Sequence, residues 1–100
     1  MSITLLNAVT GTGAGTAVVP VSGASRCFQA TVVGTGTVTT TVNVEVSLDG
    51  TNFLVLGTIT LSGTTTATDG FASFAQWPYV RGNATAISGT GAAVTLLMSV

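Results

Sequence analysis

The 100-residue sequence contains no histidine and no lysine, and its five formal charges are Arg26, Arg81, Glu45, Asp49 and Asp69. Without histidine a serine triad has no base, so hydrolysis by that route is excluded. General acid–base work falls to three carboxylates whose ordinary pKa lies far below neutrality, and no spacing pairs two of them around a substrate. Two arginines and a net charge of −1 exclude the multivalent basic surface that a phosphate backbone or an anionic membrane attracts. No nucleic-acid or membrane partner is expected. A single cysteine, Cys27, makes no intrachain disulfide; at a strand start between Arg26 and Phe28 it reads as a small buried hydrophobe. No window reaches 18 apolar residues, and the first nine residues lack the positive stretch and sustained apolar run of a secretory signal.

Cofactor motifs are equally sparse. Gly11-Thr12-Gly13-Ala14-Gly15 lacks the lysine and following helix of a phosphate-binding loop and reads as a linker. Asp49, Asn52 and Asp69 are hard oxygen ligands without EF-hand spacing. No metal and no cofactor are expected, and the chain is read as a non-enzyme.

What is present is β-forming. Twenty Thr, 14 Val and 3 Ile make 37 β-branched positions, with 13 Gly to punctuate them, a composition of strands and turns. No window sustains a helical apolar period. In Val42-Asn43-Val44-Glu45-Val46-Ser47-Leu48 the apolar residues alternate with polar ones, as in a half-buried antiparallel strand. Asp49-Gly50 then predicts a hairpin turn into a second strand over residues 53–61. Further strands are expected over residues 3–9, 16–21, 26–33, 71–76, 79–86 and 92–100, about eight in all. Pro20 belongs at an edge or strand end. Gly34-Thr35-Gly36-Thr37 and Ser88-Gly89-Thr90-Gly91-Ala92 read as turns, and residues 62–70 as a long connection or projecting loop. The expected fold is an all-β antiparallel sandwich, jelly-roll-like, over residues 16–100, preceded by a strand or arm with a Gly-rich linker over residues 1–15.

Trp77-Pro78-Tyr79-Val80-Arg81 is the most individual segment. Pro78 bends the chain, and Trp77 either seals an end of the core or, with Tyr79, offers a protein contact or a sugar-stacking surface. Arg81 alternates with Tyr79 and Asn83 on one strand face, opposite Val80, Gly82 and Ala84. Its expected partner is a carboxylate, Glu45 or Asp69 within the chain or one from a neighbouring subunit, unless it is simply solvated; Arg26 carries the same ambiguity. Trp77, Tyr79, Arg81, Arg26 and Phe71 are the candidate interface residues. With 5% charged residues against the roughly 25–35% of an ordinary soluble surface, association with copies of itself is expected.

Val44-Glu45-Val46-Ser47-Leu48-Asp49-Gly50-Thr51-Asn52-Phe53, Leu56-Gly57-Thr58-Ile59-Thr60-Leu61-Ser62-Gly63, Trp77-Pro78-Tyr79-Val80-Arg81 and Ile87-Ser88-Gly89-Thr90-Gly91-Ala92 carry a family likeness. Over residues 16–100 the chain resembles the small β-sandwich virion structural proteins of tailed bacteriophages. The resemblance implies a capsid decoration or cement protein on the outer surface of the head, binding the major capsid protein as a homo-oligomer, a trimer in first place. A tail tube, head–tail adaptor or fibre-associated protein is the near alternative. A carbohydrate-binding module using Trp77 and Tyr79 is the alternative from a different class. The resemblance supplies no catalytic or metal residue.

Overall fold

The structure is a computed structural model that describes residues 2–19, 26–73 and 77–99. Its strands are β1 (Ser2–Val9), β2 (Gly13–Ala14), β3 (Arg26–Ser47), β4 (Leu54–Ser73) and β5 (Tyr79–Ser99). The sheet is antiparallel in the order β1-β5-β3-β4, with β2 also paired to β5. The all-β antiparallel expectation therefore holds. The count of about eight strands does not: β3, β4 and β5 are continuous over 22, 20 and 21 residues.

The difference lies in three segments that looked like connections. Residues 34–37 lie inside β3, residues 62–70 inside β4 and residues 88–92 inside β5. Glycine and aspartate suggested loops there, but the intervening threonines favour strand and the ladder continues through them. The chain accommodates the corner by register shifts rather than by breaks. Between the pairs Val33↔Thr66 and Thr37↔Thr64, β3 advances four residues while β4 advances two. Gly36 (φ 74°), Thr65 (φ 64°) and Gly91 (φ 64°) adopt left-handed backbone at this level of the three strands. Glycine does so without a Cβ clash, whereas Thr65 carries the strain and donates its hydroxyl to the carbonyl of Thr64 at 2.6 Å.

These bends bring the two halves of β4 and the two halves of β5 together. Gly82 and Leu96 are 14 positions apart in β5 and would lie ~46 Å apart in a straight strand at about 3.3 Å per residue. Instead, a Cβ added at Gly82 would meet Leu96 Cδ2 at 2.7 Å and Leu6 Cγ at 2.9 Å. Gly57 meets the ring of Phe71, further along β4, in the same way. The space between the halves is the core, where Val32, Val42, Val44, Val46, Val94, Leu96 and Met98 are wholly buried. Burial of each such aliphatic side chain contributes about 1.5–3 kcal/mol. Leu5 and Leu6 of β1 belong to the same cluster, and Phe28 and Phe71 pack with ring centroids 5.0 Å apart.

Three positions depart from the alternation expected along the chain. Leu48 is 72% exposed because β3 ends at Ser47 and Leu48 already lies in the hairpin. Cys27 is exposed rather than buried, since the inward phase at the start of β3 is set by Phe28, Ala30 and Val32. Arg26 shares that inward phase and is buried. The expected edge position of Pro20, and Val100, lie outside the described residues, as does the end of the strand expected over residues 71–76, of which β4 includes residues 71–73.

Candidate functional site

The densest polar constellation sits on the outward face where β3 and β5 pair, beside the β3–β4 hairpin. The register places Glu45 opposite Arg81, Asn43 opposite Asn83 and Ser47 opposite Tyr79. Alternation turns Val80, Gly82 and Ala84 into the core and so delivers Arg81 and Asn83 to the other face. Arg81 Nε donates to Glu45 Oε1 at 2.7 Å, and Asn83 Nδ2 donates to Glu45 Oε2 at 3.0 Å. The guanidinium lies 4.0 Å from the centroid of the Phe53 ring, a cation–π contact that also covers the ion pair. Of the alternative partners for Arg81, the structure brings Glu45 to it. The side chains of Arg81 and Glu45 are 30% and 11% exposed.

Burial pushes the Glu45 carboxyl up, but hydrogen bonds from Asn83 and Arg81, together with the arginine charge, outweigh it and hold the group below its ordinary value. Glu45 is thus an ionised hydrogen-bond acceptor with both oxygens engaged. Such a group clamps β3 to β5; it holds no proton near neutrality for transfer.

A second cluster closes the hairpin. Ser47 Oγ donates to Asp49 Oδ1 at 2.8 Å and accepts the backbone N–H groups of Asp49 and Gly50. Asp49 Oδ1 accepts the N–H groups of Thr51 and Asn52, both at 2.8 Å, and Oδ2 accepts Asn52 Nδ2 at 2.9 Å. The backbone donors of Asn52 and Thr51, then the side chains of Asn52 and Ser47, hold Asp49 well below the usual carboxylate range. This is the aspartate turn chemistry expected of Asp49-Gly50. The Tyr79 ring lies against Gly50, bracing the turn from β5. Asp69 lies elsewhere, exposed on β4, with Oδ1 accepting the N–H of Gly70. Among the described residues no three His, Cys, Asp or Glu side chains gather to hold a metal.

The five candidate interface residues do not form one patch. Tyr79 and Arg81 belong to the hairpin end of the sheet; Arg26 and Phe71 lie where β3 begins and β4 ends. Trp77 is half-buried and packs against the core, as the end-sealing reading has it. Sequence reasoning missed Asn83 and Phe53 as parts of the Arg81 site. Asn83 shares the face of Arg81, but its role depends on β5 lying beside β3, and strand order is not encoded in alternation. A shallow depression of about 250 Å³ between β3 and β5 is lined by Cys27, Phe28, Gln29, Leu97, Met98 and Ser99. It offers one thiol and neither a carboxylate nor a cation.

Leu48, Leu54 and Val55 are exposed around the hairpin, at 72%, 48% and 49%. They give that end of the molecule an apolar rim beside the Glu45–Arg81–Asn83 clamp. The comparisons with known proteins add no relative: no protein-family model, no curated protein and no solved structure matches the chain.

Proposed function

We infer that the chain is a noncatalytic structural subunit of a virion, a decoration protein that binds the major capsid protein on the outer surface of a phage head. The observation that carries this reading is the pairing of a stiff, charge-poor β unit with an exposed aliphatic rim at the hairpin. The clamped carboxylates Glu45 and Asp49 serve architecture, and the rim supplies contact surface. In this reading the protein is adhesive: many modest contacts, repeated over a symmetric shell, raise the cost of opening it. Copies associate with one another as well as with the shell.

The finer fold in this proposal is a jelly-roll sandwich, and strand order supports it. Cut at the corner, β3, β4 and β5 yield six segments, which with β1 and the β2 region make eight in chain order. The first, eighth, third and sixth are neighbours, through β1 with residues 94–99, 26–33 and 66–73. The second, seventh, fourth and fifth are neighbours, through residues 13–18 with 79–88, 37–47 and 54–64. Two four-stranded layers joined in this order make the paired Greek keys of a jelly roll, an architecture shared by viral capsid and lectin domains. Fold alone does not assign function; the virion reading rests also on the resemblance of residues 16–100.

Electron microscopy of intact virions, with density assigned to this chain, tests the proposal. Density on the outer head surface over contacts between major capsid subunits is the expected result. Density confined to the tail replaces it with the tail-component reading, and absence from the particle overturns both.

A further inference from the structure

We propose that residues 57–64 of β4 form a self-association edge, at which two copies of this chain pair antiparallel about a two-fold axis and extend one sheet across the dimer. The proposal rests on the structural-subunit reading and names the partner of one surface, a second copy.

β4 is an end strand in the order β1-β5-β3-β4. Among the described residues its only ladder partner is β3. The backbone groups on its far side are therefore the unfilled half of a ladder, and natural sheets blunt such edges with charge, proline or bulges. Residues 57–64, Gly-Thr-Ile-Thr-Leu-Ser-Gly-Thr, contain no charge and no proline. They pair with β3 in unbroken register from Val44↔Gly57 to Thr37↔Thr64, so no bulge twists the edge away. The rest of β4 differs: the register shifts between Val55 and Gly57, and the stretch beyond Thr65 carries Asp69 exposed on its surface.

A second copy fits this edge better than a foreign strand or another edge of the same chain. Along residues 57–64 the side chains offer no ion and no large ring to select a different sequence. An identical strand running the other way matches it in hydrogen-bonding period and in burial. Facing residues in an antiparallel pair lie on the same side of the sheet. A two-fold axis normal to the sheet therefore runs through a residue that faces its own copy, such as Leu61. The buried Ile59 and Leu61 then stay on the core side in both copies, and exposed Thr58, Thr60, Ser62 and Thr64 meet hydroxyl to hydroxyl. With Leu61 on the axis, Thr60 faces Ser62 of the second copy and Thr58 faces Thr64. The sheet already joins its own strands in this way, through Thr31 Oγ1 and Thr68 Oγ1 at 2.8 Å and Thr58 Oγ1 and Asn43 Oδ1 at 2.8 Å. Such cross-strand hydroxyl pairs stabilise an antiparallel contact.

The opposite margin of the sheet cannot take this role. β1 shifts register between Thr4 and Leu6 and again between Leu6 and Val9, and Ala8 sits at φ 49°. β2 is two residues long. A head-to-tail ring joining that margin to β4 would lack a regular mate, so association at this edge closes at the pair. The proposed pair is two-fold, where the family resemblance implies a trimer.

Analytical ultracentrifugation of the full chain, under reducing conditions so that exposed Cys27 forms no cross-link, tests the edge. The unaltered protein is expected to be a dimer. Thr60→Lys with Ser62→Lys sets lysine opposite lysine with Leu61 on the axis and raises the dimer dissociation constant about ten-fold or more. Mixing that variant with Thr60→Glu/Ser62→Glu restores a dimer, which a misfolded variant would not do. Amide exchange of the unaltered protein reads the same surface without mutation: protection at alternate residues of 57–64 rises with concentration. A monomer, a trimer, a dimer indifferent to the lysines, or protection independent of concentration overturns the proposal. None of these results decides whether the chain is found in virions, which the microscopy decides separately.

Discussion

Thr40→Val is expected to stabilise the protein, although it deletes a polar group from a threonine-rich strand. Thr40 is wholly buried, and its Oγ1 finds no hydrogen-bond partner among the described residues. Its cross-strand neighbours are Leu61 and Ile87, and Val38 and Val42 flank it on the same face of β3. A hydroxyl in such surroundings forfeits its water contacts without replacement, a penalty of about 1–3 kcal/mol. Valine has nearly the same shape, removes that penalty and adds a buried methyl worth roughly 0.8 kcal/mol. Allowing for incomplete relaxation, a net gain of about 1–2 kcal/mol follows. For a domain of this size that raises the melting temperature by roughly 4 °C or more. Thr40→Ser is the control: it keeps the hydroxyl, deletes the methyl and lowers stability by about 1 kcal/mol. Chemical and thermal unfolding of the three proteins gives the answer. A Thr40→Val variant less stable than the parent would refute the reasoning, because it would mean that the hydroxyl is bonded in solution.

The Glu45 clamp predicts an acid-sensitive contribution to stability. The folded carboxyl titrates below its ordinary value of 4.5, so its contribution is complete above that value and is lost as pH falls through the folded pKa. Glu45→Gln should flatten this part of the stability–pH curve and cost about 1 kcal/mol at neutral pH, a modest figure because Arg81 is partly solvated; an unchanged acid slope would contradict the clamp. Asp49→Ala should loosen the hairpin, seen as faster amide exchange at Thr51 and Asn52, and in the parent protein Asp49 should titrate well below the usual carboxylate range in a carbon-detected NMR titration. Gly82→Ala forces a methyl between Leu96 and Leu6 and should destabilise by about 1–3 kcal/mol, with chemical-shift changes at both leucines; a neutral result would mean that the halves of β5 are not in contact.

Much of this architecture is legible in the sequence wherever a strand has one wet face and one dry face. The alternation of Val42, Val44 and Val46 with Asn43, Glu45 and Ser47 marks β3 and its inward phase, and Asp49-Gly50 marks the hairpin that follows. The parity of Val80, Gly82 and Ala84 likewise sends Arg81 and Asn83 outward. The corner was not legible, because glycine marks a bend without saying whether the ladder survives it. Residues 34–37, 62–70 and 88–92 therefore look like connections when each is read alone. Only their alignment across three neighbouring strands lets register shifts, rather than loops, turn the chain.

The composition and the alternation of side chains determined that this protein is an antiparallel β domain. They also showed that it has no histidine or lysine for chemistry and little charge to keep copies apart, because those properties belong to residues one at a time or to neighbours along one strand. The tertiary structure decided that Arg81 meets Glu45, that Phe53 and Asn83 complete that site, that the Thr40 hydroxyl is buried with no hydrogen-bond partner among the described residues and that residues 57–64 lie along an outer strand. Each of these depends on which strands lie side by side and in what register, and that choice is made by the packing of segments far apart in the chain.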